Sequence, residues 1–411
     1  MINFEKFTLT NGLKVVVHED KSTPLVALNI LYQVGARDED ASMTGFAHLF
    51  EHLMFGGSIN ISNYDEPLQM AGGENNAFTN NDITNYYLTI PAQNLETAFW
   101  LESDRMLSLA FTEKSLEVQR SVVIEEFKQR YLNQPYGDVW LKLRPLAYKV
   151  HPYQWATIGK DISHIEDAKM EDVKSFFKKW YIPNNAILTI SGNCSVERAK
   201  ELCEKWFQDI PEGKPIVRNL PKEPKQTERR ELTIIEDVPS NQIYMAFHCC
   251  ARNDDAFFAT DLLSDVLSRG KSSPMYQKLV KEQNLFNDIG AYMMSDLDNS
   301  LFIIQGDLVD GVDAKEAEDA IWKVISEVRD FISDKDLKRV KNKVASTLEF
   351  AEMNIANKAL HLAYYEMLGD ANDSNLQAAF YNKVTKEEIQ KVCEEILVKE
   401  NVSVLNYLSK N

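Results

Sequence analysis

The chain predicts an α+β protein built from two copies of one sheet-and-helix unit, and three observations carry that prediction. Strand-like alternation and helical periodicity follow each other along the chain without either dominating. A segment at 211–230, rich in Pro, Lys and Glu and without apolar periodicity, reads as a linker between domains at 1–210 and 231–411. The patterns on its two sides echo one another. Each copy is expected to be a mainly antiparallel sheet packed with helices.

Taken in order, Phe4–Thr10 and Leu13–His18 alternate around Asn11-Gly12, a hairpin signal. Leu25–Val34 is a third, largely buried strand, closed by Gly35-Ala36-Arg37-Asp38-Glu39. Next comes a short helix at 45–55, discussed below. Gly72-Gly73 leads into Glu74–Thr79, and Thr84–Ile90 is a further strand rich in Thr and Tyr. Ala92–Leu107 and Thr112–Arg130 are helical by periodicity, as is Glu171–Trp180. Pro183-Asn184-Asn185 then introduces the apolar strand Ala186–Ser191, and the helix Val196–Phe207 follows.

Beyond the linker the order returns. Leu28-Asn29-Ile30-Leu31-Tyr32 with Ala36-Arg37-Asp38 is echoed by Ile243-Tyr244-Met245-Ala246-Phe247 with Ala251-Arg252-Asn253. Ala47–His52 lines up with Thr260–Asp265, and Ile187–Ile190 with Val402–Leu405. The second copy lacks the histidines of the first, which makes it scaffold and wall.

Those histidines lie in Gly45-Phe46-Ala47-His48-Leu49-Phe50-Glu51-His52-Leu53-Met54-Phe55. Phe46, Leu49, Phe50, Leu53 and Met54 recur at helical steps, so His48 and His52, four residues apart, project from one face. Two imidazoles one turn apart suit two ligands of Zn²⁺, with Glu51 close enough to act on a metal-bound water. His-x-x-Glu-His is the inverted zinc-peptidase motif. The chain has only seven histidines, and two of them bracket a glutamate inside an apolar helix. Further on, Leu116, Val123 and Phe127 form a stripe with Glu125-Glu126 beside it. One of these carboxylates can be a third ligand, or both can be a solvated acidic pair; local sequence leaves the two readings open.

Composition bounds the rest. With 44% hydrophobic and 26% charged residues, the 411-residue chain has the balance of an ordinary globular protein. No apolar run reaches membrane-spanning length. Met1–Lys6 has no apolar signal core, which predicts a cytoplasmic protein. A net charge of −17 argues against nucleic acid, whose phosphates require basic patches. The charge serves solubility, or draws cationic peptides into an acidic chamber. Five cysteines without regular spacing read as reduced structural thiols.

The chain resembles the pitrilysin–insulysin–mitochondrial processing peptidase family of zinc metallopeptidases, in the layout of its short two-domain bacterial members. The resemblance rests on His48–His52, on Asn76-Ala77-Phe78-Thr79, and on Val122–Glu126 with Asn133-Gln134-Pro135-Tyr136-Gly137. His151-Pro152-Tyr153 and Pro183–Ala186 add to it. It implies a zinc endopeptidase of which this chain forms half of a clam-shell chamber. His48 and His52 would be zinc ligands, Glu126 the third, and Glu51 the general base. Asn76, Ala77 and Phe78 would form the edge strand on which extended peptide substrates lie. Members complete their sites with an Arg and a Tyr from the second half, but here those positions hold Val280 and Asn287, with Tyr292 nearby. The implied partner is therefore a homologous second subunit that supplies the pair, or alternatively a second copy of this chain. The rival reading is a non-catalytic assembly subunit.

Overall fold

The computed structural model describes residues 1–410. These contain eleven strands: β1 (Glu5–Thr8), β2 (Lys14–Glu19), β3 (Leu25–Tyr32), β4 (Glu74–Thr79), β5 (Thr84–Pro91), β6 (Ala186–Gly192), β7 (Arg230–Glu236), β8 (Gln242–His248), β9 (Phe286–Met293), β10 (Leu301–Leu308) and β11 (Val402–Ser409). They form two sheets, ordered β1-β2-β6-β3-β5-β4 and β7-β11-β8-β10-β9. The second sheet repeats the first. β2 with β6 and β7 with β11 are parallel, and the other pairs are antiparallel. β3 lies between β6 and β5 as β8 lies between β11 and β10. The echoes of Leu28–Tyr32 in Ile243–Phe247 and of Ile187–Ile190 in Val402–Leu405 are thus echoes of place in a sheet. The fold is α+β, as its composition of elements predicts.

Helices cover these sheets, among them α1 (Phe46–Leu53), α2 (Leu95–Leu107), α3 (Glu113–Phe127), α4 (Val139–Ala147), α5 (Met170–Trp180), α6 (Phe257–Ser268) and α7 (Ile355–Leu368). The long helix expected over Thr112–Arg130 ends earlier. Thr112 caps α3 by accepting the Ser115 N–H at 3.1 Å, and the backbone shifts to π-helical turns at Lys128–Leu132.

The residues gather into two compact units, each drawn from separated stretches of chain. One comprises Met1–Lys128, Trp155–Leu220 and Glu349–Leu376; the other comprises Gln129–Gln154, Pro221–Leu348 and the chain from Gln377 on. The break between the middle segments, at Leu220 and Pro221, falls inside the 211–230 stretch. The units also exchange helices. In the first, Leu362 and Ala363 of α7 pack on Val16, Leu31 and Ile187 of the sheet. In the second, Val139, Leu143 and Ala147 of α4 pack on Tyr244, Ala246, Leu301, Ile303 and Leu405. Neither helix is among those identified from the sequence, and local pattern would not name the sheet each covers, because apolar stripes are interchangeable until topology selects a partner.

With helices on both faces, β3 and β6 are buried almost throughout, which explains their continuous apolar runs. All five cysteines are free thiols, four of them buried and Cys250 partly so. Among the described residues no helix is long and apolar enough to cross a membrane.

Candidate metal centre

Helix α1 starts on Gly45, whose φ of 89° is left-handed; a Cβ there would lie 2.6 Å from the Ile158 carbonyl oxygen. Glu39, 8% exposed, accepts the N–H groups of Gly45 at 2.9 Å and Ala47 at 2.8 Å. Two amides that a helix start leaves without partners are thereby satisfied. Burial pushes the Glu39 carboxyl up to about 8, against the pull of these donors and of Trp155.

One face of α1 buries Phe46, Ala47, Leu49, Phe50 and Leu53. Phe50 stacks on Phe176 at 4.9 Å and on Tyr181 at 5.2 Å between ring centroids. The Tyr86 hydroxyl of β5 donates to the Phe50 carbonyl oxygen at 3.2 Å. With that face fixed, His48, Glu51 and His52 come out together on the other.

The two imidazoles lie 4.9 Å apart, edge to face. From α3, Glu126 Oε2 stands 3.6 Å from His48 Nε2 and 3.4 Å from His52 Nε2. One donor atom from each residue lies within 4.8 Å of the others, a set able to hold a metal ion. Ligand atoms about 2.1 Å from a tetrahedral zinc stand roughly 3.4 Å apart, so the spacing and the N,N,O donor set fit that ion. Glu125 takes no part: it is exposed and bonds Lys128 Nζ at 2.8 Å. Of the two glutamates left open by local sequence, only Glu126 meets the histidines.

Glu51 is half-buried beside this cluster. Burial raises its pKa above the ordinary carboxylate value, against the opposing pull of Thr79 and His52. Asn76, Ala77 and Phe78 lie on β4, the outer strand of the sheet. Asn76 is exposed, Phe78 packs towards the α7 side of the sheet, and the Ala77 N–H points to Asn76 Oδ1 at 2.8 Å.

In the second unit, Asp261 and Asp265 of α6 hold the places that the echo aligns with His48 and His52. Asp261 accepts from the Tyr381 hydroxyl at 2.6 Å, and Asp265 faces Arg269 at 3.5 Å. Among the described residues, His48, His52 and Glu126 form the one group of three His, Cys, Asp or Glu side chains set for a metal. Asn287 bonds the Leu308 carbonyl at 3.0 Å, Val280 lies in π-helical turns, and Tyr292 on β9 is 36% exposed.

Sequence reasoning missed one supporting cluster. Arg105 of α2 is buried, paired with Glu102 through two hydrogen bonds of 2.8 and 2.7 Å, and sits 4.5 Å from the ring centres of both Tyr64 and Tyr86. The cation thus lies against the tyrosine that holds the Phe50 carbonyl. The signal was available: Glu102 and Arg105 fall four and seven residues after Ala98, on one stripe of the helix.

The chain is similar to known peptidases. Residues 14–154 match the insulinase family of peptidases, family M16, and residues 167–344 match the M16 inactive domain. Together the matches span more than three quarters of the chain. A zinc protease of Helicobacter pylori is 29% identical over 392 residues, covering 94% of this chain and 84% of that one. The crystal structure of a protease from the same organism superposes with a TM-score of 0.94 at 26% identity, covering 99% of this chain and all of the other. Pitrilysin shares the fold at a TM-score of 0.78 and 18% identity; the match takes in all of this chain but 45% of pitrilysin.

Proposed function

We propose, from the premise that this chain belongs to the insulinase (M16) family of peptidases, that it is a zinc-dependent endopeptidase acting on extended peptides. The observation that carries the reading is the convergence of His48, His52 and Glu126 beside Glu51. The two imidazoles and the Glu126 carboxylate would hold the metal together with a water. When bound, zinc supplies a Lewis acid and lowers the pKa of that water. Glu51 takes the proton of the attacking water and returns it to the departing amine. The edge of β4 receives the substrate as an added strand, so backbone hydrogen bonds supply affinity with little side-chain selectivity.

The working enzyme is a dimer in this reading, with a homologous subunit supplying the Arg/Tyr pair and the two chains enclosing a chamber. Val280 and Asn287 at the pair's positions support this, as does the fold match to a chain about twice as long. The same absence favours a second reading, a non-catalytic assembly subunit.

The test is cleavage of a quenched fluorogenic peptide pool, by the chain alone and with any copurifying partner, alongside the bound zinc. Glu51→Gln should keep one zinc and lose about 10²- to 10⁴-fold in turnover. Glu126→Gln should lose the metal, whereas Glu125→Gln should keep it. Cleavage by Glu51→Gln at the wild-type rate would reject the assignment; zinc without cleavage under any pairing would select the second reading.

A further inference from the structure

We propose that Tyr86 is the positioning residue that sets the helix bearing Glu51 against the strand that receives the substrate. This rests on the reading of Glu51 as the base and of β4 as the docking edge. Hydrolysis requires Glu51 and the histidines of α1 to be in register with the peptide carbonyl that β4 presents. Reacting atoms must stand about 3–3.5 Å apart, and a misplacement of about 1 Å can cost a hundredfold. The spacing between helix and strand therefore has to be held by something that touches both.

Tyr86 does so. On β5 it pairs with Ala77 of β4. The Ala77 N–H turns to Asn76 Oδ1 and away from the ladder, so the two form a non-hydrogen-bonded pair, with Cα atoms about 4.5 Å apart. Paired residues share a face of the sheet, and alternation along β4 puts Ala77 opposite to Phe78, which faces the α7 side. On that other face the Tyr86 hydroxyl donates to the Phe50 carbonyl oxygen of α1 at 3.2 Å. This oxygen belongs to the peptide that joins Phe50 to Glu51, midway between His48 and His52. One side chain thus ties the peptide plane from which Glu51 departs to the strand residue whose N–H the substrate takes.

The tie is itself held. Tyr86 is fully buried, and the Arg105 guanidinium that Glu102 fixes lies 4.5 Å from its ring centre. Phe55, two residues past α1, approaches the same cation at 5.3 Å and the Tyr86 ring at 6.0 Å. The Tyr181 hydroxyl stands 3.3 Å from that of Tyr86; because Tyr86 gives its proton to Phe50, Tyr181 is the donor of the two. The Phe50 carbonyl also accepts the Met54 N–H at 3.0 Å, so α1 closes its turn without help from the tyrosine. What the Tyr86 bond adds is attachment to the strand.

The test is Tyr86→Phe, which keeps the ring and removes the hydroxyl. Its control for lost stability is Tyr148→Phe in the other unit, where a buried tyrosine likewise bonds a backbone carbonyl, that of Asn299 at 2.9 Å. Tyr86→Phe should bind zinc at wild-type stoichiometry, keep its KM, and lose about three- to thirtyfold in kcat; Tyr148→Phe should keep its kcat. In crystal structures, the Phe50 carbonyl of Tyr86→Phe should shift away from the ring at position 86, with the β4–β5 pairing unchanged. An unchanged kcat, a rise in KM in its place, or a Phe50 carbonyl that stays put would overturn the proposal. So would a kcat loss that excess zinc restores or that Tyr148→Phe shares. If Glu51→Gln cleaves like wild type, or no pairing cleaves at all, the peptidase reading has failed instead; the crystal comparison still decides whether Tyr86 spaces α1 from the strand.

Discussion

Glu39 caps the helix that carries both histidines, and its titration gives that helix a pH-dependent footing. A carboxyl whose pKa stands at about 8 in the folded protein, against an ordinary 4.5, holds more protons folded than unfolded between those values. The stability it contributes is fully present below about pH 4.5 and is lost as the pH rises through 8. Glu39→Gln cannot ionise and should be flatter across this window. Urea denaturation of both proteins at pH 5 and pH 8 should show wild type losing more stability over the interval, by at most about 4 kcal/mol. Parallel losses would mean that Glu39 does not titrate there. Gln offers one acceptor oxygen for the two amides of Gly45 and Ala47, so the variant should also be the less stable protein at pH 5.

At the scale of elements, β4 presents a sheet edge whose outward donor at Ala77 is engaged only by its neighbour's side chain. Proline is tolerated where a strand's N–H is not needed by the ladder, so Ala77→Pro should leave the sheet and the metal site standing. One hydrogen bond is removed from the docked peptide, which should raise KM up to about tenfold with zinc content unchanged. An unaltered KM would place the peptide elsewhere. Elements of this kind were legible in the sequence to different degrees. The face of α1 could be read because i, i+4 spacing fixes direction on any helix. The strands could be read from their alternation and apolar runs. The choice of Glu126 over Glu125 came from the resemblance and not from the local pattern, since neighbours on a helix point about 100° apart and only the packing of α3 on α1 decides which meets the histidines. Glu39 was invisible for a related reason: a charged residue in a local window looks solvated, and its burial depends on chain brought in from far away.

For the molecule as a whole, the exchanged helices make the two halves of the sequence dependent on each other. Cut after Leu220, the first fragment lacks α7 and bares Val16, Leu31 and Ile187, while the second lacks α4 and bares Tyr244, Leu301 and Ile303. Each fully buried side chain of this size is worth about 1.5–3 kcal/mol, so neither fragment should fold alone. Produced together, they should form a soluble complex that unfolds cooperatively. A monomeric first fragment with a cooperative unfolding transition would show that α7 is dispensable.

The same exchange sets a timetable for synthesis. When Leu220 is made, the strands of the first sheet are complete, yet the helix that covers one face of it ends about 150 residues later. At about 5–20 residues per second, the ribosome needs roughly 7–30 s to deliver it. Through that interval the nascent unit displays an apolar sheet face on which holdase chaperones or neighbouring chains can settle. The histidine-bearing unit cannot close until the distant stretch Glu349–Leu376 has been translated.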